Sequence, residues 1–174
     1  MLKRRSVMLG GLTVAATALA TPALAAPERR LTMIRERTGE TFDSPYIREP
    51  LFGKPHIDPD AGAAINHLLR DIAAGEITQI DPALLLLATR MQYALGHPPL
   101  IITSAYRTAA TNRRVGGAPT SRHMSAQALD IKVEGMGTAQ LAEVARSVGA
   151  GGVGRYRRRG FVHVDTGPRR DWVR

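Results

Sequence analysis

Two histidines and an aspartate are spaced as a metal-binding set. His123 follows Ser121-Arg122, Asp130 lies seven residues on, and His163 stands within Phe161-Val162-His163-Val164-Asp165. Neutral imidazoles and an ionised carboxylate are the donors that zinc hydrolases use when a fourth position is left for water. Such a site lowers the pKa of that water to roughly 7, and a base then carries its proton to the leaving group. Just upstream, Arg107 closes Ser104-Ala105-Tyr106-Arg107 at the end of an apolar run. Its planar fork suits a substrate carboxylate held at two points, or a developing oxyanion. A His and an Asp seven apart occur in many proteins, so the elements that carry them decide how much the pattern means.

On an extended 161–165 segment, alternation puts Phe161, His163 and Asp165 on one face, with Val162 and Val164 on the other. Two roles are open to Asp165. It is the carboxylate nearest His163 in sequence and serves provisionally as general base, or it accepts the N–H of a ligand histidine and orients it. His123 stands in a polar loop entering a strand, and Asp130 ends an alternating run.

The positioning elements follow from periodicity and punctuation. Residues 27–59 are polar and proline-interrupted, with a turn expected at Thr38-Gly39-Glu40-Thr41 and a short hairpin or wrapping segment around it. Ala64, Ile65, Leu68, Leu69 and Ile72 follow a helical period from Asp60 to Ala74, stopped by Gly75. Asp81-Pro82 opens a second helix that ends at Gly96. Leu100 to Thr103 reads as a buried strand, followed by a short helix to Val115 and a strand from Ala128 to Val133. A helix capped by Thr138 runs to Val148, and Gly152–Tyr156 with Gly160–Val164 form a hairpin across Arg157-Arg158-Arg159. Helices first and a mainly antiparallel sheet afterwards argue an α+β fold, with N-terminal helices packed on a small sheet.

The first 26 residues read as an export signal. Lys3, Arg4 and Arg5 precede an apolar, small-residue stretch, and Ala23-Leu24-Ala25 offers a cleavage site. Arg4-Arg5 fits the twin-arginine route and the ordinary route alike. Removing residues 1–26 takes three basic residues and no carboxylate, lowering the formal net charge from +9 to +6. Residues 27–174 suffice for one domain with a packed core and hold no further long apolar stretch. The expected mature protein is a monomer without stable membrane insertion, placed in the periplasm or cell envelope. Its positive charge draws it to wall or lipid polyanions there. With no cysteine in the chain, thiolate catalysis and disulfide stapling are excluded.

Some patterns lead nowhere. Gly149, Gly151 and Gly154 fit G-x-G-x-x-G, but the pattern follows a helix and enters a strand, the reverse of a dinucleotide fingerprint. Arg157-Arg158-Arg159 reads as a solvated turn, and without an aromatic series it does not argue nucleic-acid binding. His56, His67 and His97 have no partners at metal spacing.

Ser104-Ala105-Tyr106-Arg107-Thr108, Asn112, Val115-Gly116-Gly117, Ser121-x-His123 and Ala128-x-Asp130 resemble the zinc murein peptidases that include D-Ala-D-Ala dipeptidases and carboxypeptidases. Gly151-Gly152-Val153-Gly154-x-Tyr156 and Phe161-Val162-His163-Val164-Asp165-Thr166-Gly167 resemble their YcbK-like (MepK-type) murein endopeptidase branch. Arg37-Thr38-Gly39-Glu40, Leu69-Arg70-Asp71 and Ile80-Asp81-Pro82 extend the likeness over almost the whole mature chain.

The resemblance implies a hedgehog/DD-peptidase-like fold, one Zn2+ and cleavage of peptide bonds in peptidoglycan. It implies His123, Asp130 and His163 as metal ligands, and Arg107 as the substrate-facing cation. Tyr106 and Ser121 are expected beside Arg107 as substrate-binding residues. Two positions depart from the pattern. Ala126 stands where the family usually has glycine, which matters if the backbone there needs positive φ. Gly160 stands where the dipeptidases carry a glutamate base. The leading expectation is a zinc endopeptidase acting on murein stem peptides or cross-links. Its alternative is a catalytically silent peptidoglycan-binding module on the same metal-binding fold.

Overall fold

The computed structural model describes residues 29–50 and 53–174; the expected signal, residues 1–26, lies outside them. The chain opens with an antiparallel hairpin, β1 (Arg30–Arg35) and β2 (Thr41–Pro45), turning at Gly39 with φ 72°. Two short strands, β3 (Ile47–Arg48) and β4 (His56–Ile57), pair beside it. Helices α1 (Pro59–Leu68) and α2 (Pro82–Ala94) follow. The rest of the chain supplies β5 (Leu100–Ser104), α3 (Ala109–Arg114), β6 (Ala128–Lys132), α4 (Thr138–Ser147), β7 (Gly152–Tyr156), β8 (Phe161–Asp165) and β9 (Arg170–Val173).

Seven strands form one sheet in the order β2-β1-β5-β6-β8-β7-β9. It is mainly antiparallel, with parallel pairing of β1 to β5 and of β7 to β9. This is the expected α+β class. The helices cover one face, where Leu31, Met33, Ile102, Leu129, Ile131 and Val162 meet apolar residues of α1, α2 and α4 such as Ile65, Leu84, Met91 and Leu141. Alternation along β6 and β8 therefore leaves Asp130 and His163 on the opposite face. Gln92 of α2 is buried against β1 with its amide satisfied, accepting from the Thr32 N–H and donating to the Thr32 and Pro98 carbonyls.

Four local expectations change. The first helix begins one turn-residue earlier, because Asp58 caps it by accepting the N–H groups of Asp60 and Ala61. It also ends at Leu68, short of Ala74. The Asp71 carboxylate takes the N–H groups of Ala73 and Ala74 and of Thr108, offering the backbone an alternative to the helical ladder. The helix α4 is preceded by Gly137 with no side-chain cap, so Thr138 is its first residue and not its cap. The strand β9, too short and charged to show periodicity, was not anticipated. Among the described residues, no helix is long and apolar enough to cross a membrane.

Candidate metal centre

Register across the sheet assembles the site. Ser104 of β5 lies opposite Asp130 of β6, Asp130 opposite His163 of β8, and His163 opposite Gly154 of β7. His123 comes from a 3₁₀ turn, Arg122–Ser125, packed over this row. Ser121 caps the turn through the His123 N–H at 3.4 Å, and the Arg107 N–H donates to the His123 carbonyl at 3.2 Å. Ala126 ends the turn with φ 55°, a left-handed conformation that costs an L-residue about 1–2 kcal/mol. The condition attached to its methyl group is therefore met: the backbone does need positive φ here.

Three donor atoms converge. His123 Nδ1 lies 2.6 Å from the Ala105 carbonyl, which can only accept, so that nitrogen carries the proton and Nε2 keeps its lone pair. His163 Nε2 lies 2.8 Å from Asp165 Oδ2, which by the same reasoning leaves the lone pair on Nδ1. These two free nitrogens face each other at 3.2 Å and approach Asp130 Oδ1 at 3.2 and 2.9 Å. Three acceptors so close repel unless a cation stands among them: a proton on His163 Nδ1, shared with Asp130, or a metal ion that displaces it. All three residues are buried, and their ligand atoms lie within 4.8 Å of one another. The donor set and tautomers fit a zinc ion.

The two histidines are shifted in opposite directions. Burial holds the His123 pKa below its ordinary value despite Asp130. At His163 burial acts the same way but is outweighed by Asp130 and Asp165, so its pKa stands above ordinary. Burial opposes ionisation of Asp130, yet the two imidazoles hold its carboxyl well below the usual range. Asp165 is similarly depressed, burial being overcome by His163, the Gly167 N–H and Arg170.

Asp165 is completely buried, with both oxygens engaged. Oδ1 accepts from the Gly152 and Gly167 N–H groups at 3.0 and 2.8 Å, and Arg170 binds both oxygens, at 3.2 and 2.5 Å. Arg107 donates through Nε to Ser104 Oγ at 2.7 Å and through Nη2 to Asp130 Oδ2. Both Arg107 and the His123, Asp130 and His163 group line an open cleft of about 1090 Å³, as do Tyr106, Ser121 and Phe161, whereas Asp165 does not. The Tyr106 hydroxyl is tied to Glu76 at 2.8 Å. His56, His67 and His97 lie outside the cleft, and His97 stacks edge-on against Tyr93.

Sequence reasoning missed Arg170 and Trp172, which also line the cleft. It treated Arg158 and Arg159 only as a solvated turn; they are exposed, and they line the cleft as well. The signal available for β9 was the glycine series, since glycines inside a strand mark a close approach by another chain segment.

Comparison with known proteins identifies the family. Residues 63–165, which contain Arg107, His123, Asp130 and His163, match the family model described as Peptidase M15. The chain belongs to the peptidase M15 family. Two similar proteins extend the match of this M15 peptidase over nearly its full length. One is the peptidoglycan L,D-endopeptidase MepK of Escherichia coli K12, 37% identical over 98% of this chain and 96% of that protein. The other is the probable peptidoglycan L,D-endopeptidase MepK of Haemophilus influenzae, 30% identical over 98% of this chain and 95% of that protein. A zinc D-Ala-D-Ala carboxypeptidase of Streptomyces albus G is 37% identical over 59 residues, 34% of this chain and 23% of that protein.

Proposed function

We propose that this M15 peptidase is a zinc-dependent peptidoglycan endopeptidase of the periplasm or cell envelope, hydrolysing amide bonds in stem peptides or their cross-links. The observation that carries this reading is the convergence of His123 Nε2, Asp130 Oδ1 and His163 Nδ1 on the floor of an open cleft. Bound there, zinc supplies Lewis acidity toward an amide carbonyl and toward water. Arg107 orients the Asp130 carboxylate and presents its remaining N–H groups to a substrate carboxylate or developing oxyanion. Tyr106 and Ser121 wall the substrate side. Asp165 orients His163: a carboxylate whose oxygens are taken by His163, two backbone N–H groups and Arg170, and which lies off the cleft, is badly placed to receive a proton from water.

Cleft chemistry supports an acidic peptide as substrate. Arg37, Arg158 and Arg159 line it without an ion-pair partner among the described residues. Peptides with free carboxylates would neutralise them.

A second reading, a wall-binding module without catalysis, is favoured by one observation. The carboxylates lining the cleft are Glu36, Asp71 and Asp130, and each is engaged: by Lys132, by Thr108, and by the histidines with Arg107. With Gly160 in place of a glutamate, no spare carboxylate among the described residues faces the metal site. Digestion of purified cross-linked muropeptides, with and without a chelator, separates the two. Chelator-sensitive release of shorter peptides supports the enzyme, and binding without cleavage in zinc-replete protein supports the module.

A further inference from the structure

We propose that β9, a strand that supplies no metal ligand, is a clamp on the metal centre, with Arg170 and Trp172 as positioning residues for His163. This rests on the zinc reading above and adds to it two residues outside the 63–165 family match.

The clamp has two jaws. Arg170 grips Asp165 with both Nη atoms, and Asp165 in turn holds His163 Nε2. A two-point guanidinium–carboxylate pair fixes the carboxylate plane as well as its charge, so it fixes the direction from which the imidazole is held. Trp172 works on the ring itself. Its indole lies 5.2 Å from the His163 ring centroid at 45°, Nε1 lies 3.4 Å from the Tyr156 hydroxyl, and the Arg170 guanidinium sits 5.5 Å over the indole. The imidazole is thus held at its edge by Asp165 and on its flank by Trp172, while Nδ1 is left facing the other two donors.

The glycine series makes room for this assembly. A Cβ at Gly154 would overlap the Trp172 indole, and one at Gly152 would overlap the Asp165 carboxylate and the Arg170 guanidinium. A Cβ at Gly151 would strike the Gly167 backbone, whose loop leads into β9. Parallel pairing sets Gly152 opposite Arg170 and Gly154 opposite Trp172, so each clamp residue has a glycine as its partner in register. Glycine in a strand weakens it by roughly 0.5–1 kcal/mol relative to alanine. Here the absent side chains let β9 lie close enough to reach the ligand.

The test uses the full chain and two readouts besides activity: zinc affinity by competition with a chromophoric chelator, and the visible spectrum of the cobalt(II)-loaded protein. Arg170→Met and Trp172→Ala should each weaken zinc binding by about 10-fold to 100-fold, the usual scale for removing a group that orients a ligand. Each should also shift the cobalt bands. Arg170→Lys should restore only part of the affinity, because an ammonium cannot reproduce the planar fork. Gly154→Ala should mimic Trp172→Ala, since its methyl group displaces the indole. If Arg170→Met does not fold, Arg170→Gln carries the same expectation. Parent-like zinc affinity and cobalt spectra in the Arg170 and Trp172 variants would overturn the clamp, even with a lowered Tm, and leave β9 a structural edge. A parent protein that binds no zinc would instead sink the metal reading on which the clamp rests.

Discussion

Asp165→Asn separates orientation of a ligand from proton transfer, and the geometry says which to expect. The substitution keeps the size of the side chain and one carbonyl oxygen. In one amide orientation the oxygen still accepts from the Gly152 and Gly167 N–H groups, and the new NH2 faces the His163 Nε2–H and Arg170. In the other, the NH2 faces the two backbone donors. Either way donors meet donors in a fully buried position. In the first orientation the imidazole escapes the clash by moving its proton to Nδ1, and that nitrogen then has no lone pair for a metal. Losing a hydrogen bond to a charged, buried acceptor costs about 1.5–3 kcal/mol. At about 1.4 kcal/mol per tenfold, zinc should dissociate some 10 to 150 times more readily. Chelator competition measures that directly, and muropeptide turnover at saturating zinc should then recover most of the parent rate. Parent-like zinc affinity with turnover lost by about 10²-fold or more would refute this reasoning and make Asp165 the base.

Four further outcomes are expected. His123→Ala should abolish stoichiometric zinc by elemental analysis, and chelation of the parent should lower its Tm, because a ligand that binds only the folded state stabilises it. Arg107→Ala should slow muropeptide cleavage by about 10²-fold and, since Arg107 also holds Asp130, weaken zinc binding modestly; unchanged cleavage would make it a bystander. Zinc must displace a proton from His163, whose folded pKa lies above the ordinary 6.5, so apparent zinc affinity should climb as pH rises through that raised value and then level off. In metal-free protein Asp130 and Asp165 titrate below the ordinary 3.8, so their contribution to stability is present above that value and lost as pH falls beneath it; urea midpoints measured against pH should decline there.

Side-chain type and spacing made part of this site legible. Alternation along 161–165 placed His163 and Asp165 on one face and the valines in the core, and β8 has that arrangement. Asp81-Pro82 and Gly96 bounded α2 to within two residues, because caps and breakers act through local backbone chemistry that a sequence displays. Where long-range side-chain bonds compete with local pattern, the pattern misled. The apolar period through Leu69 and Ile72 argued a helix to Ala74, yet Asp71 captures two backbone N–H groups there and reaches across to Thr108. A carboxylate's choice between solvent and its own backbone leaves no trace in periodicity.

The glycines show the same limit from the other side. Gly151, Gly152 and Gly154 were visible as a series, and rejecting a nucleotide-binding role for them was a matter of strand and helix order. What they accommodate was not visible, because Arg170 and Trp172 come from four residues whose charged, short sequence has no strand signature. An absent Cβ informs only when its neighbour is known. The candidate ligands His123, Asp130 and His163 could be proposed from residue type, since imidazoles and carboxylates carry their chemistry wherever they lie. The groups that aim them act through register: Gly154 opposite His163 on one side and opposite Trp172 on the other puts ligand, gap and indole in one row of the sheet. Register between non-adjacent segments is set by the whole packed sheet, and that is why the supporting half of this site emerges only once the strands are paired.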